Sequence, residues 1–136
     1  MPEARVLVLG AGAIGAFYGG VLARTGCDVS VVARSDYEAV AAGGYRIDST
    51  LGDLSFRPAQ LLRSAGDYRG EADYLLVALK LVRGVDRAAL IRPALAAGSA
   101  IVLVQNGIGI ELAVDVKSLG PGVALIYYES GGQTVN

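Results

Sequence analysis

The chain has 136 residues, 53% of them hydrophobic and 18% charged, with a formal net charge of −1 and no histidine. That balance suits one compact domain spanning residues 1–136 with a real apolar core, and it leaves no basic stripe for a nucleic acid, even where Arg83, Arg87 and Arg92 share one expected helix. With no histidine and a single cysteine, Cys27, the chain is excluded from internal disulfides, zinc sites, and Ser-His-Asp or Cys-His catalysis.

Val6 to Leu9 is a fully apolar run that reads as a strand buried on both faces, and residues 13–24 (AIGAFYGGVLAR) read as a helix whose small residues meet a sheet. A secretion leader is the competing reading, because Val6 to Ala23 carries no charge. Glu3 ahead of the run, the glycines at 10, 12, 15, 19 and 20 within it, and the strand-like start argue against a leader and against a membrane-spanning helix. DVSVVA, residues 28–33, is a second buried strand, and Cys27 just before it reads as a small packing residue. Residues 36–43 form a short helix stopped at Gly43-Gly44.

Residues 45–57 alternate polar and apolar around Leu51-Gly52-Asp53, which predicts a hairpin or a strand with an irregular return. Turn residues Gly66, Asp67 and Gly70 follow, then DYLLVAL at 73–79 as a buried strand. Residues 82–97 read as a helix in which Pro93 starts a turn of its own, 99–104 (SAIVLV) as a strand, 109–119 as a helix, and 123–128 (VALIYY) as a last strand. Strands alternating with helices imply an α/β fold: a mainly parallel, doubly wound sheet, covered on both faces and joined by right-handed crossovers.

Between the first strand and the first helix lies Gly10-Ala11-Gly12-Ala13-Ile14-Gly15, a G-x-G-x-x-G in the context that a dinucleotide-binding turn requires. Gly10 permits the tight turn, Gly12 lets backbone approach a pyrophosphate, and Gly15 lets helix and strand pack closely, while free N–H groups and the helix dipole favour an anion. The alternative is a glycine run that serves only helix-to-strand packing. At the end of the second strand an acid would bind the ribose of NAD and an arginine the 2′-phosphate of NADP. Arg34 stands there, followed by Ser35, which argues for NADP. Asp36 suits either a ribose contact or a cap on the next helix, and the cap is the favoured role.

Ligands of such a sheet lie beyond the carboxyl ends of its strands. The residues expected there are Lys80, one of two lysines in the chain, and Gln105-Asn106-Gly107. A lysine binds a carboxylate or phosphate, and an asparagine amide orients a carbonyl or hydroxyl, although Asn-Gly is also a common turn.

Three stretches, GAGAIGAFYGGVLARTGCDVSVVAR (10–34), LLVALK (75–80) and IVLVQNGIG (101–109), together resemble the ketopantoate reductases, the 2-dehydropantoate 2-reductases. The resemblance covers essentially the whole chain. It implies a Rossmann-type sheet and the NADPH-dependent reduction of ketopantoate to pantoate, on the route to pantothenate and coenzyme A. Residue by residue, it implies that Gly10, Ala11, Gly12, Ala13, Ile14 and Gly15 hold the pyrophosphate and Arg34 the 2′-phosphate. Lys80 would lie beside cofactor and active-site cleft, and Asn106 beside the nicotinamide ribose and the substrate. Family members look roughly double this length, with a helical C-terminal domain that supplies the general-acid lysine and an acidic substrate-binding residue. The chain therefore reads as the NADP-binding domain alone, with that helical domain absent and little or no turnover by itself. Lys117, on the helix expected at 109–119, matches no catalytic motif.

Two other functions fit a lone dinucleotide-binding domain: a nucleotide-sensing regulatory module, and the NADP-binding domain of a dehydrogenase for another 2-keto acid. A sensor usually carries an acid where this chain has Arg34, and has no evident use for Lys80 or Asn106. The expected setting is cytoplasmic, with a small 2-keto acid as partner and neither nucleic acid nor membrane. Self-association is expected through an apolar patch near the last strand.

Overall fold

The computed structural model describes residues 3–10, 12–48, 52–78, 87–96, 98–106 and 124–130; residues 13, 14, 87, 105, 106 and 124–130 are described as backbone. Strand β1 (Arg5–Leu9) leads into helix α1 (Ala13–Arg24), strand β2 (Asp28–Val32) and helix α2 (Tyr37–Gly43). Strands β3 (Tyr45–Ile47) and β4 (Leu54–Phe56) pair antiparallel as a separate hairpin. Next come strand β5 (Leu61–Leu62), a 3₁₀ turn at Ala65–Asp67, and strand β6 (Tyr74–Val77). Helix α3 (Arg87–Ile91) runs into a second 3₁₀ turn at Arg92–Ala94, followed by β7 (Ala100–Asn106) and β8 (Ala124–Ser130).

Among the described residues six strands make one sheet in the order β5-β2-β1-β6-β7-β8, and every neighbouring pair is parallel. The chain builds outward from β1 through β2 to β5, then returns to lay β6 on the other side of β1. That reversal leaves a crevice at the carboxyl ends of β1 and β6, the place where open α/β sheets bind ligands.

Alternation along each strand divides the core into two layers. Leu7, Leu9, Leu75, Val77, Ile101 and Leu103 face one way and pack with Ile91 of α3 and with Ala65 and Ala94 of the 3₁₀ turns. Val6, Val8, Val29, Val31, Leu76 and Val104 face the other way and pack with Ala16 of α1, Val40 of α2 and Tyr45 of the hairpin. A strand buried on both faces needs no polar alternation, which is why VLVL and LLV are unbroken apolar runs. Each such Leu or Val contributes about 1.5–3 kcal/mol relative to leaving it exposed.

The hairpin covers the outer side of α1. A Cβ on Gly20 would come 3.1 Å from Ile47 Cδ1, and one on Gly19 would come 3.3 Å from Phe56 Cζ and 3.5 Å from Val8 Cγ2. These two glycines therefore let α1 lie between sheet and hairpin, a packing role distinct from that of the glycines before the helix. Tyr45 stacks on Phe56 with ring centroids 5.2 Å apart, and its buried hydroxyl has no hydrogen-bond partner. Burial, with a smaller contribution from Asp36, raises its pKa above the usual tyrosine range. Burial likewise raises the pKa of Tyr68, partly opposed by Arg5.

Several boundaries differ from the sequence expectation. The hairpin is formed, and Gly44, at φ 74°, ends α2 by donating its N–H to Val40 O at 2.7 Å. Strand β5 was not anticipated, because two residues carry no periodicity. The helix expected over 82–97 ends at Ile91 among the described residues: Pro93 supplies no N–H to an α-helical ladder, so the chain tightens into a 3₁₀ turn and is extended at Leu95. The strand expected at 99–104 starts one residue later and runs on to Asn106, and the last strand, expected at 123–128, runs on to Ser130. The helix expected at 109–119, with Lys117, lies outside the described residues.

Candidate functional site

At the end of β1 the chain must reverse into α1 within a few residues, and Gly10 makes the turn with a φ of 81°, where a side chain would be strained. Gly12 is the N-cap of α1, and its carbonyl accepts the Ala16 N–H at 2.9 Å. It is exposed, a Cβ there would meet nothing within 4 Å, and no side chain caps the helix. The first turn holds no acidic residue. Among the described residues no side chain caps its first-turn N–H groups, and these together with the positive end of the helix dipole suit an anion. Gly15 is the opposite case: a Cβ there would stand 2.5 Å from Gly10 O and 3.4 Å from Ala78 Cβ. Ala78 is itself fixed at the crevice, its N–H donating to Leu9 O at 2.8 Å. The three glycines thus have three different physical reasons, as the motif requires.

Beside this turn opens a pocket of about 400 Å³ whose walls include Leu9, Gly10, Val32, Arg34, Arg63 and Leu90. Apolar residues and two arginines thus share its lining. Arg34 is exposed; its carbonyl accepts the Tyr37 N–H at 3.2 Å, and its guanidinium makes no hydrogen bond or ion pair among the described residues. Arg63 was not anticipated from sequence. It follows β5, whose register pairs Val32 with Leu62 and whose Leu62 carbonyl accepts the Ala33 N–H at 2.9 Å, so Arg63 emerges beside Ala33 and Arg34. Its guanidinium donates to Glu38 Oε2 at 2.6 Å and lies 3.8 Å from the centre of the Tyr37 ring. Only the pairing of a two-residue edge strand could have placed it here from sequence.

Gly10, Gly12, Gly15 and Arg34 are thus brought together at one edge of the sheet. Ala13 and Ile14 contribute backbone in the first turn of α1. Asn106 is the last residue of β7 rather than the first beyond it, because β7 continues its pairing with β8 as far as Asn106 opposite Ser130. The parallel sheet still puts it at the same carboxyl edge as Gly10 and Arg34. Ala11 and Lys80 lie outside the described residues. Asp36 occupies the N-cap position of α2, where its carbonyl accepts the Val40 N–H at 3.0 Å, but its side chain makes no capping hydrogen bond, contrary to the role favoured from sequence. Cys27 is half-buried against the apolar layer under α1, with Sγ 3.8 Å from Thr25 Oγ1. Among the described residues no cluster of His, Cys, Asp and Glu could hold a metal ion, and no helix is long and apolar enough to cross a membrane.

Comparison with known proteins agrees with this geometry. A sequence model of the family described as Ketopantoate reductase PanE/ApbA matches residues 6–125. The 2-dehydropantoate 2-reductase of Nostoc sp. is 31% identical over 126 residues, which are 93% of this chain and 39% of that protein. The crystal structure of the 2-dehydropantoate 2-reductase from Methylococcus capsulatus superposes with a TM-score of 0.79 at 49% identity, over 90% of this chain and 39% of that one. The enzyme of that name from Porphyromonas gingivalis W83 superposes with a TM-score of 0.76 at 27% identity, over 90% and 45% of the two chains. The chain thus spans about two fifths of the length of these relatives, and the fold is the Rossmann-type dinucleotide-binding sheet. By the family match, by the relatives and by the glycine turn at the sheet's switch point, the chain belongs to the ketopantoate reductase family, corresponding to the first part of its members.

Proposed function

We propose that residues 1–136 form the NADP-binding domain of a cytoplasmic 2-dehydropantoate 2-reductase, which reduces the small 2-keto acid ketopantoate to pantoate. Family and fold imply a nicotinamide dinucleotide. The observation that carries the choice of NADP is Arg34, an exposed guanidinium without a partner among the described residues, at the pocket beside the glycine turn. An acid at that position would repel a 2′-phosphate, whereas an arginine fork matches its oxygens.

The residues present fit such a ligand. The backbone from Gly10 through Ala11, Gly12, Ala13 and Ile14 to Gly15 would hold the pyrophosphate at the uncapped start of α1, where the open space over Gly12 admits it. Leu9, Val32 and Leu90 offer an apolar floor for the adenosine end. Asn106, at the carboxyl end of β7, and Lys80, after β6, would hold the nicotinamide ribose and the substrate carboxylate. When bound, the dihydronicotinamide would supply a hydride to the keto carbon. The chain's contribution is to bind and orient, and the proton for the developing alkoxide would come from the longer protein's second domain.

The test is to titrate the 136-residue chain with NADPH by its fluorescence and to assay it with ketopantoate. Saturable binding without turnover supports the reading, no binding overturns it, and turnover at about 1 s⁻¹ or faster overturns the placement of the acid elsewhere. Self-association through surface covered in a longer chain is checked by light scattering: mass that grows with concentration supports it, and a monomer at high concentration contradicts it.

A further inference from the structure

Arg63, which lines the same pocket as Arg34, makes contacts that are weak and pointed. Its ion pair with Glu38 is only 2.6 Å long, yet the two side chains are 59% and 83% exposed, so water competes for both charges and the pair adds little to stability. Both of its partners, Tyr37 and Glu38, open the helix that directly follows Arg34, and the Tyr37 hydroxyl donates to Leu61 O at 3.5 Å. The guanidinium of Arg63 is thereby tethered to the segment that carries Arg34, while both line one pocket. A phosphate monoester bears nearly two negative charges at neutral pH, and one arginine compensates about half of that.

We propose that Arg63 is a second guanidinium for the 2′-phosphate, held at the rim by Tyr37 and released from Glu38 when the phosphate enters, so that it sets cofactor preference together with Arg34. This rests on the reading of the pocket as an NADP site. It assigns three roles. Arg63 exchanges one carboxylate for a dianion, Glu38 competes with the phosphate for that guanidinium, and the Tyr37 ring keeps the group in place during the exchange.

The experiment measures dissociation constants of NADPH and NADH by fluorescence for the chain and for Arg63→Ala, Glu38→Gln, the double variant and Arg34→Ala, with thermal melts confirming that each is folded. Arg63→Ala is expected to weaken NADPH about tenfold, as befits loss of a charged hydrogen bond, and to leave NADH within about twofold. Glu38→Gln is expected to tighten NADPH several-fold, and that gain should vanish in the Arg63→Ala background, because only Arg63 transmits it. If Arg34→Ala is selective for NADPH but Arg63→Ala is not, or if the Glu38→Gln gain survives without Arg63, the inference is overturned and the NADP reading stands. If the unaltered chain binds NADPH no better than NADH, the reading beneath it fails instead.

Discussion

A Cβ on Gly15 would stand 2.5 Å from the carbonyl oxygen of Gly10, so α1 begins as close to the turn before it as backbone allows. Replacing a helical glycine by alanine ordinarily gains up to about 1 kcal/mol of helix propensity. Here the methyl meets backbone that cannot yield cheaply, and overpacking of that kind costs about 1–3 kcal/mol. Gly15→Ala is therefore expected to lower the melting temperature; an equal or higher one would show that the turn relaxes freely.

Gly12→Ala should separate folding from binding. Nothing lies within 4 Å of the added methyl, so the fold should change by less than about 1 kcal/mol. The same methyl would stand where a pyrophosphate must approach the helix start, and NADPH affinity should fall tenfold or more. Calorimetric titration of the folded variant decides this, and an unchanged affinity would move the pyrophosphate away from Gly12.

These glycines also show what was legible in sequence. The fingerprint, the buried runs and the order of strand and helix follow from local rules, so the sheet, the turn and Arg34 could be read along the chain. Arg63 could not, because its place depends on the pairing of β5 with β2, two residues with no pattern of their own. Gly19 and Gly20 read as small residues where the first helix meets a sheet, and Val8 and Val29 do lie against Gly19, but Ile47, Leu54 and Phe56 of the hairpin, far on in sequence, pack there too. Pro93 marked a turn correctly, while the helix expected to run on to residue 97 stops at Ile91.

Tyr45→Phe should stabilise the chain. The hydroxyl is buried without a hydrogen-bond partner, and burying it costs about 1–3 kcal/mol that phenylalanine would not incur. The alkaline limb should change as well. Burial raises the folded pKa above the ordinary tyrosine value of about 10, so above that pH the unfolded chain binds fewer protons than the folded one, and stability falls as pH rises. Removing the hydroxyl should make that fall shallower, with Tyr68 still contributing its own loss. Urea unfolding at pH 8 and pH 11 checks both effects; a destabilised variant with an unchanged alkaline slope would contradict them.

Ser99→Ala should do the reverse. The buried Ser99 Oγ donates to Ala72 O at 2.6 Å and accepts the Ala96 N–H at 3.1 Å, tying the start of β7 to the segments before β6 and after α3. Its loss leaves two backbone groups unsatisfied, a cost of about 1–3 kcal/mol. The urea midpoint should fall with the slope unchanged, and an unmoved midpoint would mean that water replaces the hydroxyl.

The proposal that the pocket beside the glycine turn takes NADP through Arg34 is tested most directly by one comparison: the affinities of NADPH and NADH for the chain and for Arg34→Ala. Loss of the guanidinium should weaken NADPH by about 1.5–3 kcal/mol, roughly 10- to 150-fold, and leave NADH nearly unchanged. Equal losses for the two cofactors, or none for NADPH, would contradict it.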